Sequence, residues 1–84
     1  MTVTIIKEES HGLIGVAKDR ETAINYLIQT DWINSNTDFY DKEKEKFLSL
    51  KEMFGESWKE EIVKQNDDFF EGSFYFSEKN LIEN

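Results

Sequence analysis

His11 is the only imidazole in the chain, and its place beside Gly12 suits a general base carried on a loop. A base alone catalyses little. It needs a nucleophile within reach and a third group to orient it, and no spacing singles out one Ser as its partner. With no Cys there is no thiol nucleophile, no Cys-ligated zinc and no disulfide. His11 is therefore expected to be a turn residue.

Carboxylates occur in adjacent pairs at Glu8-Glu9, Glu60-Glu61 and Asp67-Asp68. Two acids perform acid–base chemistry only when they flank a cleft and one pKa is raised. A chain of 84 residues has little room for such a cleft, so solvated surface acids are expected. Asn34, Asn36, Asp38 and Glu45 fall at positions 1, 3, 5 and 12 of a calcium loop. Position 6 of that loop must be Gly and here is Phe39, and position 1 is normally Asp. No calcium site is expected there, nor at Asp67, Asp68 and Glu71, which have no defined ligand spacing. The four Gly residues stand singly, so neither phosphate-loop nor dinucleotide fingerprint can be drawn. No cofactor is expected.

The net charge is −8, with 18 acids against 10 bases, nine of them Lys. Residues 1–42 hold seven acids and four bases, and residues 43–84 eleven and six, so both halves are acidic. Binding to phosphate backbones and anionic membranes needs clustered Lys and Arg, so neither is expected. The absence of Cys favours a reducing, cytoplasmic setting. Met1 to Lys7 lacks the basic and apolar regions of a signal peptide, and no apolar stretch approaches the ~20 residues that span a bilayer. Abundant Lys, Ile, Asn and Phe without Pro point to AT-rich coding, as in a low-GC bacterium or its phage.

These residues must be positioned by a thin core, since a domain this small buries only about 60–65% of its unfolded surface. Twelve aromatics in one domain are expected to build much of it. Thr2–Lys7 and Leu13–Ala17 read as strands joined by a polar turn, a hairpin. Gly15 within the second strand predicts a bulge or a helix crossing closely. Asp19 caps a first helix whose apolar face is Ala23, Ile24, Leu27 and Ile28, extended by Trp32 and stopped at Asn34–Asn36. A second helix is expected from Thr37 or Asp38 to Gly55, with Tyr40, Phe47, Leu50 and Phe54 on one face. Ser57 and Glu60 form a capping box for a third helix to about Gln65, with Glu60 paired to Lys64. Phe70, Gly72, Phe74 and Phe76 alternate with polar residues and read as a strand, and Leu81-Ile82 as a short return strand after a turn at Glu78–Asn80. The order β-β-α-α-α-β, with room for a fourth strand, predicts one α+β domain: a small antiparallel sheet with helices on one face.

The functional expectation is a non-catalytic interaction domain that regulates or inhibits a partner protein with a basic surface. In its sharpest form the acidic surface mimics nucleic acid and occupies a basic groove. That surface comprises Glu56, Glu60, Glu61, Asp67, Asp68 and Glu71. Phe69 and Tyr75, on the strand face opposite Phe74 and Phe76, are expected as interface aromatics. The alternative is self-association, as a homodimer or larger assembly, through the edge of that strand.

Overall fold

A computed structural model describes residues 1–82 of the chain. The β-branched run at the N-terminus favours extended backbone, and β1 (Thr2–Glu8) is followed by β2 (Gly12–Ala17) as an antiparallel hairpin. Register shifts after Ile6, which faces Gly15, so that Lys7 faces Leu13 and Ile14 is the extra, bulged residue. Gly15 also lies beneath α1 (Arg20–Gln29): a Cβ there would sit 3.7 Å from the Tyr26 ring. The bulge expected at Gly15 is thus present one residue earlier, and the contact with Tyr26 is of ordinary length.

The Asp19 carboxylate accepts from the Thr22 N–H at 2.8 Å and starts α1. Ala23, Ile24 and Leu27 are buried. The helix closes at Thr30 and Asp31, the latter at φ 63, a turn before the Asn-rich segment expected to stop it. Residues 38–54 depart most from expectation. They form a hairpin, β3 (Asp38–Asp41) and β4 (Lys46–Ser49), and only then a short helix, α2 (Leu50–Phe54). Asp41 accepts from the N–H groups of Glu43 and Lys44, at 2.9 and 3.1 Å, and Glu45 adopts φ 52. That local turn closes the hairpin in place of a helix. Phe39 and Leu48 point into the core, while Tyr40 and Phe47 pair on the outward face with ring centres 5.3 Å apart.

Of two Ser-x-x-Glu sequences, Ser49–Glu52 is the capping box, opening α2. Ser57 makes no side-chain cap bond to α3 (Trp58–Lys64). Its backbone, at ψ 14, has already turned through a 3-10 turn, Gly55–Ser57, whereas Ser49 is extended at ψ 158, the geometry an N-cap needs. The ion pair on α3 is Glu61–Lys64, at 3.4 Å, and not Glu60–Lys64. Asn66–Asp68, expected only to break the pattern, opens a further turn of helix, α4 (Asp67–Phe70), with Asn66 as its N-cap. Phe70 is therefore helical, and Gly72, at φ 90, turns the chain into β5 (Phe74–Asn80).

β5 runs through the expected turn at Glu78–Asn80, because β1 supplies a partner as far as Thr2. No return strand forms at Leu81-Ile82; the Leu81 N–H donates to the Met1 carbonyl. The sheet order is β2-β1-β5, and β3-β4 is a separate two-stranded sheet. This is the expected α+β class, with helices against one face of the sheet. Ile6, Phe70, Phe74, Ile24, Leu27 and Ile62 form the centre of the core.

Arg20, the only Arg, ties this assembly together. It donates to the carbonyls of Val63, at 2.9 Å, and Gln65, where α3 ends, and pairs with Asp67 at 3.0 Å. Its guanidinium lies over the rings of Phe70 and Phe76.

Candidate partner-binding surface

The outward ring pair of the β3–β4 hairpin stands beside α4. Tyr40 is 49% and Phe47 69% exposed, so both carry apolar area that the fold itself does not cover. Phe69 extends from α4 into the same region, stacked at 4.9 Å on Phe39, 5.2 Å from Phe70 and 6.0 Å from Phe54. Around these rings lie two adjoining clefts. One, of about 320 Å³, is lined by Asp38, Tyr40, Phe47, Asp68, Phe69 and Glu71 among others. The second, of about 480 Å³, shares Tyr40, Lys42, Asp68 and Phe69 with the first and adds Asp41, Glu43 and Phe54. A third, of about 230 Å³, runs along β5 and is lined by Asp67, Asp68, Glu71, Phe74, Tyr75 and Phe76. Asp68 lines all three.

The acids are placed by ordinary local rules. Asp67 and Asp68 occupy the first turn of α4, where the helix dipole favours negative charge. Asp38 and Asp41 bound β3. Lys42 lines both larger clefts, but acids outnumber it in each, so their chemistry is predominantly anionic and aromatic. Carboxylates attract an ammonium or guanidinium group, and an adjacent ring face stabilises the same cation.

Of the residues expected from sequence, Asp67, Asp68, Glu71, Phe69 and Tyr75 are brought together here. Phe69 is not on the strand opposite Phe74 and Phe76; it belongs to α4 and is half-buried. It is a wall of the clefts and not a free anchor. Tyr75 does lie on the outer face of β5, 45% exposed. Glu56, Glu60 and Glu61 sit on the 3-10 turn and α3 and line none of the three clefts. Tyr40 and Phe47 were missed because they were assigned to a helix face. The adjacent apolar pairs Phe39-Tyr40 and Phe47-Leu48, mirrored about a charged run, were the signal for a hairpin with one ring outward on each strand.

His11 lies in the β1–β2 turn and lines none of these clefts. Its Nδ1 is 2.5 Å from Glu8 Oε2, and its ring meets the Trp32 indole edge-on at 5.0 Å. Glu8 also accepts from the N–H groups of Ser10 and His11, at 3.0 and 2.8 Å. The His11 ring, followed by these backbone donors, holds the Glu8 carboxyl below its ordinary value. Asn34, Asn36 and Asp38 do not converge with Glu45: Asn34 accepts from the Asn36 N–H, and Glu45 closes the hairpin. Among the described residues no group of His, Asp and Glu has a metal-holding arrangement, and no helix is long and apolar enough to cross a membrane. Comparison with protein-family models, curated proteins and solved structures gives no match.

Proposed function

We propose that this chain is a non-catalytic interaction domain that regulates or inhibits a partner by covering a basic surface on it. The observation that carries this reading is the combined lining of the two larger clefts, in which Asp38, Asp41, Asp68 and Glu71, against the one base Lys42, surround Tyr40, Phe47 and Phe69. Exposed rings ringed by carboxylates fit a protein surface bearing Arg and Lys side chains. The aromatics supply buried area, and the acids supply charge complementarity and a fast encounter. A net charge of −8 extends the attraction beyond contact distance. A nucleic-acid-handling protein with a basic groove is the sharpest form of such a partner, the domain then standing in for the phosphate backbone.

The test is capture of partners from a low-GC bacterial or phage-infected lysate after nuclease treatment, at low and high salt. Native chain is compared with a Tyr40→Ser, Phe47→Ser double variant. Recovery of one basic protein, lost at high salt and lost by the double variant, supports the reading. A partner retained equally by the variant, or indifferent to salt, removes it.

A further inference from the structure

β5 is one edge of the three-stranded sheet, and its pairing with β1 is regular throughout. Its ladder to β1 runs without a shift from Thr2 opposite Asn80 to Glu8 opposite Phe74. The other edge, β2, carries the bulge at Ile14, which spoils an edge for further pairing. Hydrogen-bonded pairs alternate along an antiparallel ladder. At one end of this one the Glu9 N–H donates to the Ser73 carbonyl at 3.2 Å, and at the other the Leu81 N–H donates to the Met1 carbonyl at 2.6 Å. Odd-numbered residues of β5 therefore turn their backbone groups to β1, and Phe76, Glu78 and Asn80 turn theirs outward, a template for another strand.

The side chains along that template are self-complementary about Ser77. We infer that two copies of this chain pair β5 to β5, antiparallel and centred on Ser77, into one continuous sheet with three strands from each copy. In this register Tyr75 faces Lys79 of the second copy, Phe76 faces its Glu78, and Phe74 faces its Asn80, so the whole strand pairs. Centring on Glu78 sets two carboxylates opposite each other, and centring on Lys79 two ammonium groups, both unfavourable. Centring on Phe76 shortens the pairing and separates Tyr75 from Lys79.

Charge complementarity also selects a second copy as the occupant. Lys79 arriving opposite Tyr75 brings its ammonium to that ring on the outer face of the sheet. On the inner face Arg20 lies 5.5 Å from the centre of the Phe76 ring, the position that the incoming Glu78 faces. One strand thus offers a cation to an aromatic ring on one face and an anion to a guanidinium on the other, and the two-fold repeats both contacts.

Sedimentation velocity of the full chain, from micromolar to millimolar concentration, tests this. The expected result is a dimer whose dissociation constant rises about tenfold or more in Lys79→Glu, with an unchanged thermal melt. Ser77→Cys checks the register. Opposed Cα atoms of a non-hydrogen-bonded pair lie about 4.5 Å apart, within disulfide reach. In a chain with no other Cys, mild oxidation should therefore give a covalent dimer, while Glu60→Cys treated alike should not. A monomer at every concentration overturns the proposal. So does a dimer that is indifferent to Lys79→Glu and cross-links no faster through residue 77 than through residue 60. Neither substitution touches Tyr40 or Phe47, so this outcome and that of partner capture are read separately.

Discussion

The guanidinium of Arg20, at the start of α1, lies 5.4 Å from the centre of the Phe70 ring, at the end of α4. The same group donates to the last carbonyls of α3 and pairs with Asp67. A planar, delocalised cation satisfies all of these at once, and an ammonium does not. Arg20→Lys should therefore cost about 2 kcal/mol, chiefly through the lost bonds to Val63 and Gln65. Asp67→Asn should cost under about 0.5 kcal/mol, because that carboxylate is largely exposed and its pair is screened. Urea titrations of both variants decide it; equal losses would mean that the ion pair, and not the carbonyl cap, is what Arg20 contributes.

The two Ser-x-x-Glu sequences should behave differently. Ser49→Ala removes a cap in use and should lower stability by about 1 kcal/mol. Ser57→Ala removes no cap bond and should stay within about 0.5 kcal/mol of native. Thermal melts of the pair measure the contrast, and a larger loss at Ser57 would contradict the structure.

Acidification should weaken the fold through specific carboxylates. The Ser49 N–H, then the Ser49 hydroxyl, holds Glu52 below its ordinary value, and Thr22 does the same for Asp19. A carboxyl whose folded pKa is depressed adds stability above its unfolded pKa and loses it as pH falls through the folded one. Glu52→Gln should consequently lower stability at neutral pH and show a shallower decline between about pH 5 and pH 2 than native. Melts across that range give the slopes, and parallel slopes would refute the assignment.

Two glycines separate steric room from backbone strain. At Gly15 a new methyl would make ordinary contact with Tyr26, so Gly15→Ala should change stability by less than about 0.5 kcal/mol. At Gly72 space is open but φ is 90, so Gly72→Ala should cost about 1–2 kcal/mol. Chemical denaturation ranks them; the reverse order would place the strain elsewhere.

The legible parts of this fold were those where a local pattern had no rival. β1, β2, α1 and α3 follow from β-branched runs, an Asp cap and apolar residues at helical spacing. Residues 38–49 defeated that reasoning because Tyr40 and Phe47 lie a heptad apart, which suits a helix face as well as an outward strand pair. What decides between them is the turn at Asp41 and the burial of Phe39 and Leu48, both tertiary facts. Polar Glu78–Asn80 reads as a turn by composition and becomes strand because β1 lies alongside. The acids of the proposed binding surface were partly legible as charge, while its exposed rings were hidden by the same helix assignment. Arg20 was passed over because nothing local distinguishes a lone Arg that bonds across 47 residues of sequence to Asp67.

The β3–β4 hairpin has only two strands and is joined to neither edge of the larger sheet. Such a unit draws little stability from its own ladder and is held by the two side chains it buries, Phe39 and Leu48. It should open at a free energy well below that of β1, as a separate step in native-state hydrogen exchange. The aromatic clefts therefore stand on a unit able to rearrange apart from the main sheet, and the partner proposed for them would be able to reshape its docking site without unfolding the rest.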